Sequence, residues 1–204
     1  MNHLVNLYLS KSMGDKMLGC LIGEIVRTSN VDKYNQRVME GIEFNKSISA
    51  FVRQHPSYLK SKGRLNTRYW KHSDRILDIF YDHLLAANWA SYSDDSLEDF
   101  AKSCYSIISR NFNTFPYKLK KQISTMIHEN WLVSYSSFQG IHSYMRMLTR
   151  RDTFQSSLEA SIEDLMDHYN DFKNDFNEVF PDLIHHLQET NSEELVLQTV
   201  YNNR

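Results

Sequence analysis

Residues 76–86 read Ile-Leu-Asp-Ile-Phe-Tyr-Asp-His-Leu-Leu-Ala, and this stretch decides the fold class of the chain. Eight of its eleven residues are apolar, and they lie on nearly every side of a helix rather than along one stripe. A helix that is hydrophobic all round belongs in the core of a protein. We therefore predict a largely buried helix over residues 73–89.

The preceding segment repeats the helical period. Apolar residues that are mostly three or four apart predict a helix over residues 38–51. His55-Pro56 ends it, because the residue before a proline disfavours the helical conformation. Further helices are expected from an N-cap within residues 91–95 to Arg110, over residues 117–130 and over residues 141–148. Loops are expected in the basic region of residues 60–71 and over residues 134–140.

The clearest period lies near the C-terminus, where apolar residues alternate at spacings of four and three. This seam consists of Leu158, Ile162, Leu165, Tyr169, Phe172, Phe176 and Val179. It predicts one long helix that packs either against the domain's own helices or against a second copy of the chain in a homodimer. Pro181 is expected to kink or restart the chain, and residues 191–204 are expected to fray.

The composition indicates one globular domain. The 204 residues are 41% hydrophobic and 24% charged, and they include only 6 glycines and 3 prolines. Because few turn formers favour long helices, we predict an all-α fold. It should be a single compact domain over residues 1–190, with eight or nine helices and a long C-terminal one.

Charge and cysteine usage exclude several classes of function. A net charge of −2 creates no field that would attract nucleic acid. No apolar run approaches the roughly 18–20 residues that span a bilayer. Cys20 and Cys104 have neither metal-site nor disulfide spacing, and the N-terminus lacks a signal-peptide pattern. A cytoplasmic location is therefore expected.

Two acidic residues interrupt the apolar stretch. Asp78 and Asp82 are four residues apart and share a helical face, and a buried carboxylate is costly unless it is paired or metal-bound. The two therefore need a metal ion or a basic side chain, or they cap a neighbouring helix. The basic candidates are Arg27, Arg53, Arg68 and Lys71. His83 is a ligand, a general acid or base, or a core histidine.

Five blocks of sequence, in order, resemble motifs of the acyl-carrier-protein phosphodiesterase family. They are MNHLVNLYLS at 1–10, GCLIGEIV at 19–26, GIEFNKSISAF at 41–51 with His55-Pro56, LDIFYDHLLAANW at 77–89, and WLVSY at 131–135 with Gly140 and Arg150-Arg151. The resemblance implies a helical fold related to the HD-type metal hydrolases. It also implies a divalent cation, typically manganese, whose activated water hydrolyses the phosphodiester between 4′-phosphopantetheine and a serine of acyl carrier protein.

The departures from the family pattern fall where that chemistry takes place. Asn6 and Asn45 stand where the family has histidines, and Ser49 and Arg53 stand where it has aspartates. Glu24 replaces another aspartate and Cys20 an asparagine, whereas Asp78, Asp82 and His83 are retained. A neutral carboxamide is a poor ligand for first-row metals, and Arg53 adds positive charge.

Two interpretations of the altered site follow. Glu24, Asp78 and Asp82, with or without His83, form a weaker oxygen-rich site for Mg²⁺ or Mn²⁺, in which Asp78, Asp82 and His83 are catalytic. Alternatively, Arg53 or Lys46 pairs with Asp78 or Asp82 and occupies the position of the metal. We favour the second interpretation.

The favoured function is therefore a phosphodiesterase homologue with lost or altered activity that keeps carrier-protein binding. Carrier proteins are acidic, so a basic docking surface is expected. Its candidates are Lys60, Lys62, Arg64, Arg68 and Lys71, with Arg150-Arg151. The alternatives are an active hydrolase with a modified manganese or magnesium site, and a helical dimeric scaffold without a carrier-protein partner.

Overall fold

The computed structural model describes residues 3–23, 26, 34–115, 117–151 and 157–202, with backbone only for residues 66, 118, 150, 151, 157 and 191–202. This part of the chain contains eleven α-helices and no strand, which confirms the all-α prediction. The helices are α1 His3–Leu9, α2 Lys16–Ile22, α3 Gln36–Gln54, α4 Pro56–Tyr69, α5 Ser73–Ala87, α6 Leu97–Arg110, α7 Tyr117–His128, α8 Trp131–Ser134, α9 Phe138–Arg151, α10 Ser157–Asp167 and α11 Tyr169–Asn202.

Helix α5 runs through the core, as its sequence predicts. All eleven residues from 76 to 86 are buried, and α5 contacts α1, α4, α9, α10 and α11. Buried apolar residues from Leu4 to Leu187 form one hydrophobic core around it. Within the described residues, no helix is both long enough and apolar enough to cross a bilayer.

The predicted basic loop after Pro56 is wrong, because residues 56–69 form α4. Its buried residues Tyr58, Ser61, Leu65 and Tyr69 recur at helical spacing, but the polar Ser61 and the intervening charges hide this stripe in the sequence. Pro56 is tolerated in the first turn, where its missing N–H has no partner to lose.

Two other boundaries also differ from the sequence predictions. The N-cap of α6 is Ser96, just after the predicted residues 91–95, and its hydroxyl accepts a hydrogen bond from the Asp99 N–H. Helix α9 begins at Phe138, inside the predicted loop. Gly140 lies inside α9 rather than in a turn. A glycine is needed there because a Cβ would lie 1.8 Å from the Ser134 carbonyl oxygen.

The C-terminal seam belongs to two helices, since the chain breaks at His168 between α10 and α11. This break, the short α8 and the unpredicted α4 explain why more helices form than predicted. Six of the seven seam residues are buried and Tyr169 is partly buried, so the seam packs inside this chain rather than facing a second copy.

Pro181 lies inside α11, which continues past it. The fraying of residues 191–204 stays a prediction.

Two glycines allow α2 and α3 to pack at close range. A Cβ on Gly19 would lie 2.0 Å from the Val38 carbonyl oxygen, and one on Gly41 would lie 1.9 Å from that of Lys16. Both obstacles are backbone atoms, which cannot rotate away. Because α3 carries polar residues into the cavity described below, this close crossing fixes the position of that wall.

We expect Gly41→Ala to lower the free energy of unfolding by about 2–3 kcal/mol or more, because the helices must separate. The matched control is Gly63→Ala in α4, where a Cβ would meet nothing within 4 Å. The control should raise stability by about 0.5–1 kcal/mol through helix propensity. Urea denaturation measures both, and equal effects at the two positions would contradict the close crossing.

Candidate functional site

A cavity of about 670 Å³ lies between α1, α2, α3, α5, α7 and α9, and twelve of its fifteen described lining residues are polar. Its polar residues are His3, Asn6, Asn45, Lys46, Ser49, Arg53, Lys71, Asp74, Arg75, Asp78, Gln122 and Tyr144. Four of the five replaced family positions among the described residues, at 6, 45, 49 and 53, therefore come together in one place, whereas the fifth, the buried Cys20, does not line the cavity. Positions four apart on α3 and α5 share a helical face, which is why the two helices present these residues to each other.

Arg53 connects the two walls of the cavity. Its Nη2 lies 2.9 Å from Asp78 Oδ2, and its Nη1 lies 2.7 Å from Asp74 Oδ1. Lys62 Nζ lies 2.9 Å from Asp74 Oδ2, and the Tyr58 hydroxyl donates to Asp74 Oδ1. The predicted pairing of Arg53 with Asp78 is present.

Lys46 takes no part in this network of ion pairs. Its Nζ lies 2.6 Å from Glu43 Oε1 on the same helix. The alternative pairing of Lys46 with Asp78 or Asp82 is therefore wrong.

Asp82 makes different contacts from Asp78. It is fully buried, and its two oxygens accept hydrogen bonds from the backbone N–H groups of Leu4 at 3.1 Å and Val5 at 3.0 Å. Burial raises the pKa of Asp82 to about 7, although the two N–H donors oppose this shift. Asp82 therefore caps the start of α1, which is one of the alternatives that the sequence left open. It does not line the cavity.

His83 also lies outside the cavity lining. Its Nδ1 lies 2.7 Å from the Tyr135 carbonyl oxygen, and its ring packs against Phe138 with 4.8 Å between centroids. Burial lowers the pKa of His83. These contacts match a core histidine rather than a ligand or a general acid or base. Glu24 lies outside the described residues, so its predicted role as a ligand stays a prediction.

The basic residues predicted for docking are mostly paired inside the molecule. Lys60 Nζ lies 3.1 Å from the fully buried Asp175, to which Arg64 also pairs, and Arg68 lies 3.4 Å from Asp164. With the Lys62–Asp74 pair, these contacts attach α4 to α5, α10 and α11. Among the candidates whose side chains the structure describes, only Lys71 differs, since its ammonium lies over the Trp70 ring and it lines the cavity. The side chains of Arg150 and Arg151 lie outside the description, so their role stays a prediction.

The described residues do not fit the divalent cation that the resemblance implies. Among them, no three His, Cys, Asp or Glu side chains come together in a group that could hold a metal ion. Asp78 is engaged by Arg53, and Asn6 and Asn45 offer only weak carboxamide ligands. Lys71 further weakens attraction for a cation by adding positive charge at the lining.

His3 is a cavity residue that the sequence reasoning missed. Its Nδ1 lies 3.3 Å from the Tyr135 hydroxyl oxygen, and its Nε2 lies 3.4 Å from Gln122 Nε2. Burial, assisted by the charge of Arg75, lowers the pKa of His3 to about 4, so the ring is neutral at pH 7. The available signal was the spacing of three between His3 and Asn6, which places both on one face of α1.

The fold and the cavity define a helical protein with a charged, ligand-sized site between its helices. The family model described as acyl carrier protein phosphodiesterase matches residues 1–183, and the chain belongs to that family.

Similar proteins named acyl carrier protein phosphodiesterase occur in several bacteria. That of Photorhabdus laumondii is 27% identical over 159 residues, which cover 78% of this chain and 80% of the relative. Those of Yersinia enterocolitica and Pectobacterium atrosepticum are both 24% identical, each covering 74% of this chain and 79% of the relative. No solved structure matches the chain. The relation to HD-type hydrolases therefore stays a prediction.

The raised pKa of Asp82 predicts a specific pH dependence of stability. Because the folded state binds this proton more tightly than the unfolded state, the contribution of Asp82 to the free energy of unfolding falls as pH rises from about 4 to about 7. The slope is at most about 1.4 kcal/mol per pH unit. Asp82→Asn should remove this component in urea titrations across that range.

The control is Asp99→Asn on the surface. Hydrogen bonds from Ser96 and then Lys102 lower the pKa of Asp99, so its contribution is lost only as pH falls below that window. The control should keep the wild-type slope. An unchanged slope in Asp82→Asn would show that this carboxylate does not titrate as its burial requires.

Proposed function

We propose that this chain binds the phosphodiester end of the 4′-phosphopantetheine arm on an acyl carrier protein and does not hydrolyse it through a metal ion. The observation that carries the proposal is the contact of Arg53 with Asp78 and Asp74. A guanidinium is charged at every physiological pH, and its planar fork suits carboxylates and phosphates. It neutralises the carboxylates, but it cannot activate water as a metal ion does.

The charge of the lining supports an anionic ligand. Four described lining residues are cationic, namely Lys46, Arg53, Lys71 and Arg75, whereas Asp74 and Asp78 are anionic. Glu43 outside the lining pairs with Lys46, so an excess of one positive charge remains. An excess of positive charge around a partly enclosed site attracts phosphate and repels a divalent cation. An active metal-dependent hydrolase would instead need an excess of negative charge at this lining.

Asn45 provides a second argument for a phosphate-bearing ligand. The residue is 3% exposed and lines the cavity, and its Nδ2 has no acceptor among the described residues. A buried donor without a partner costs about 1–3 kcal/mol. A phosphate oxygen would accept this hydrogen bond, whereas a metal ion would not.

Two measurements on the purified chain test the proposal. Surface plasmon resonance at low salt compares holo and apo carrier protein, and an activity assay follows release of 4′-phosphopantetheine with Mn²⁺ or Mg²⁺. We expect holo carrier protein to bind more tightly than apo, with no release above background. Arg53→Gln should weaken holo binding about tenfold, and Arg53→Lys should restore part of it.

The matched control is Arg146→Gln. Arg146 pairs with Glu159 on the outside of α9 and α10 and does not line the cavity. Thermal denaturation of every variant checks that it folds. If the wild type releases 4′-phosphopantetheine and Asp78→Asn does not, the active hydrolase is favoured. If the wild type binds neither carrier form, a scaffold is favoured. Either result would overturn the proposal.

A further inference from the structure

A large aromatic side chain is exposed beside the cavity. Trp70 begins the short turn Trp70–His72 between α4 and α5, and it is 72% exposed. The other two tryptophans of the chain, Trp89 and Trp131, are 6% and 2% exposed. Single exposed apolar residues are common on proteins. The position of Trp70 is what matters, because the next residue, Lys71, lines the cavity.

The chemistry of the proposed ligand requires protein contact at this rim. The phosphorus of the phosphodiester is bonded directly to the oxygen of the carrier serine, without a spacer. When that phosphate enters the cavity, the carrier surface must lie against the cavity mouth. Residues next to the lining therefore contact the carrier protein before any part of α4 that is farther away. This step depends on the proposed function.

The pairing of the predicted docking cations also distinguishes the turn Trp70–His72 from α4. Four of the five predicted docking cations are paired with carboxylates of the chain itself, which reduces their attraction for an acidic partner. Lys71 has no carboxylate partner within the described residues, and its contact is with the Trp70 ring. An ammonium with no carboxylate partner among the described residues, next to an exposed tryptophan, offers both attraction and apolar contact area.

We propose that Trp70 and Lys71 form the docking site for the acidic face of a carrier protein. Trp70 is the apolar anchor, in keeping with the enrichment of tryptophan at the energetic centres of interfaces. Lys71 pairs with a carboxylate of the partner at the cavity mouth. The docking surface is thus this turn, rather than the basic face of α4 that the sequence indicated.

Tryptophan fluorescence provides a direct test, because Trp70 is the exposed one of three. Acrylamide quenching is measured with and without a tryptophan-free holo carrier protein. We expect the carrier to reduce quenching of the wild type and to leave the residual quenching of Trp70→Ala unchanged. Trp70→Ala and Lys71→Glu should each weaken carrier binding about tenfold or more. Trp70→Ala should bind free 4′-phosphopantetheine like the wild type in calorimetry.

The control variant is Met166→Ala, which removes an apolar side chain that is 57% exposed on α10 and does not line the cavity. It should bind the carrier like the wild type. If the wild type binds holo carrier and Trp70→Ala binds it equally well, the docking site is wrong while the proposed function stands. If the wild type binds no carrier protein, the proposed function itself fails, and the docking site with it.

Discussion

The ion pair between Arg53 and Asp78 is the interaction on which the cavity depends. A carboxylate on a buried helix must be neutralised, and here a guanidinium from α3 does so while also holding Asp74. A metal ion would neutralise the same carboxylates and supply an activated water, whereas a guanidinium does only the first. Under the proposed function, the arginine at position 53 therefore preserves the structure of such a site without its metal-dependent chemistry.

Asp82, one turn after Asp78 on α5, has a structural role that supports that of Asp78. Asp82 holds the N-terminal backbone of α1 through two hydrogen bonds, and α1 carries His3 and Asn6 into the cavity lining. Removing Asp82 would therefore move one wall of the cavity without touching any ligand. Two carboxylates four residues apart on one helix thus act on different neighbours, one on Arg53 and the other on a helix terminus.

Much of this could be predicted from the sequence, and the failures have physical causes. The continuous hydrophobicity of residues 76–86 requires burial, so this stretch alone predicts both the helical core and the need to neutralise Asp78. Helix α4 was missed because its buried stripe includes Ser61, whose hydroxyl is satisfied by the distant Asp175. The cap on α1 joins residues 78 positions apart, which no local pattern encodes.

Titration of the purified chain with Mn²⁺, followed by electron paramagnetic resonance, tests the central claim most directly. If Arg53 occupies the position of the metal, the wild type binds no stoichiometric Mn²⁺, and Arg53→Asp gains affinity because it removes one positive charge and adds a carboxylate ligand. One tightly bound Mn²⁺ per wild-type chain, lost in Asp78→Asn, would contradict the claim.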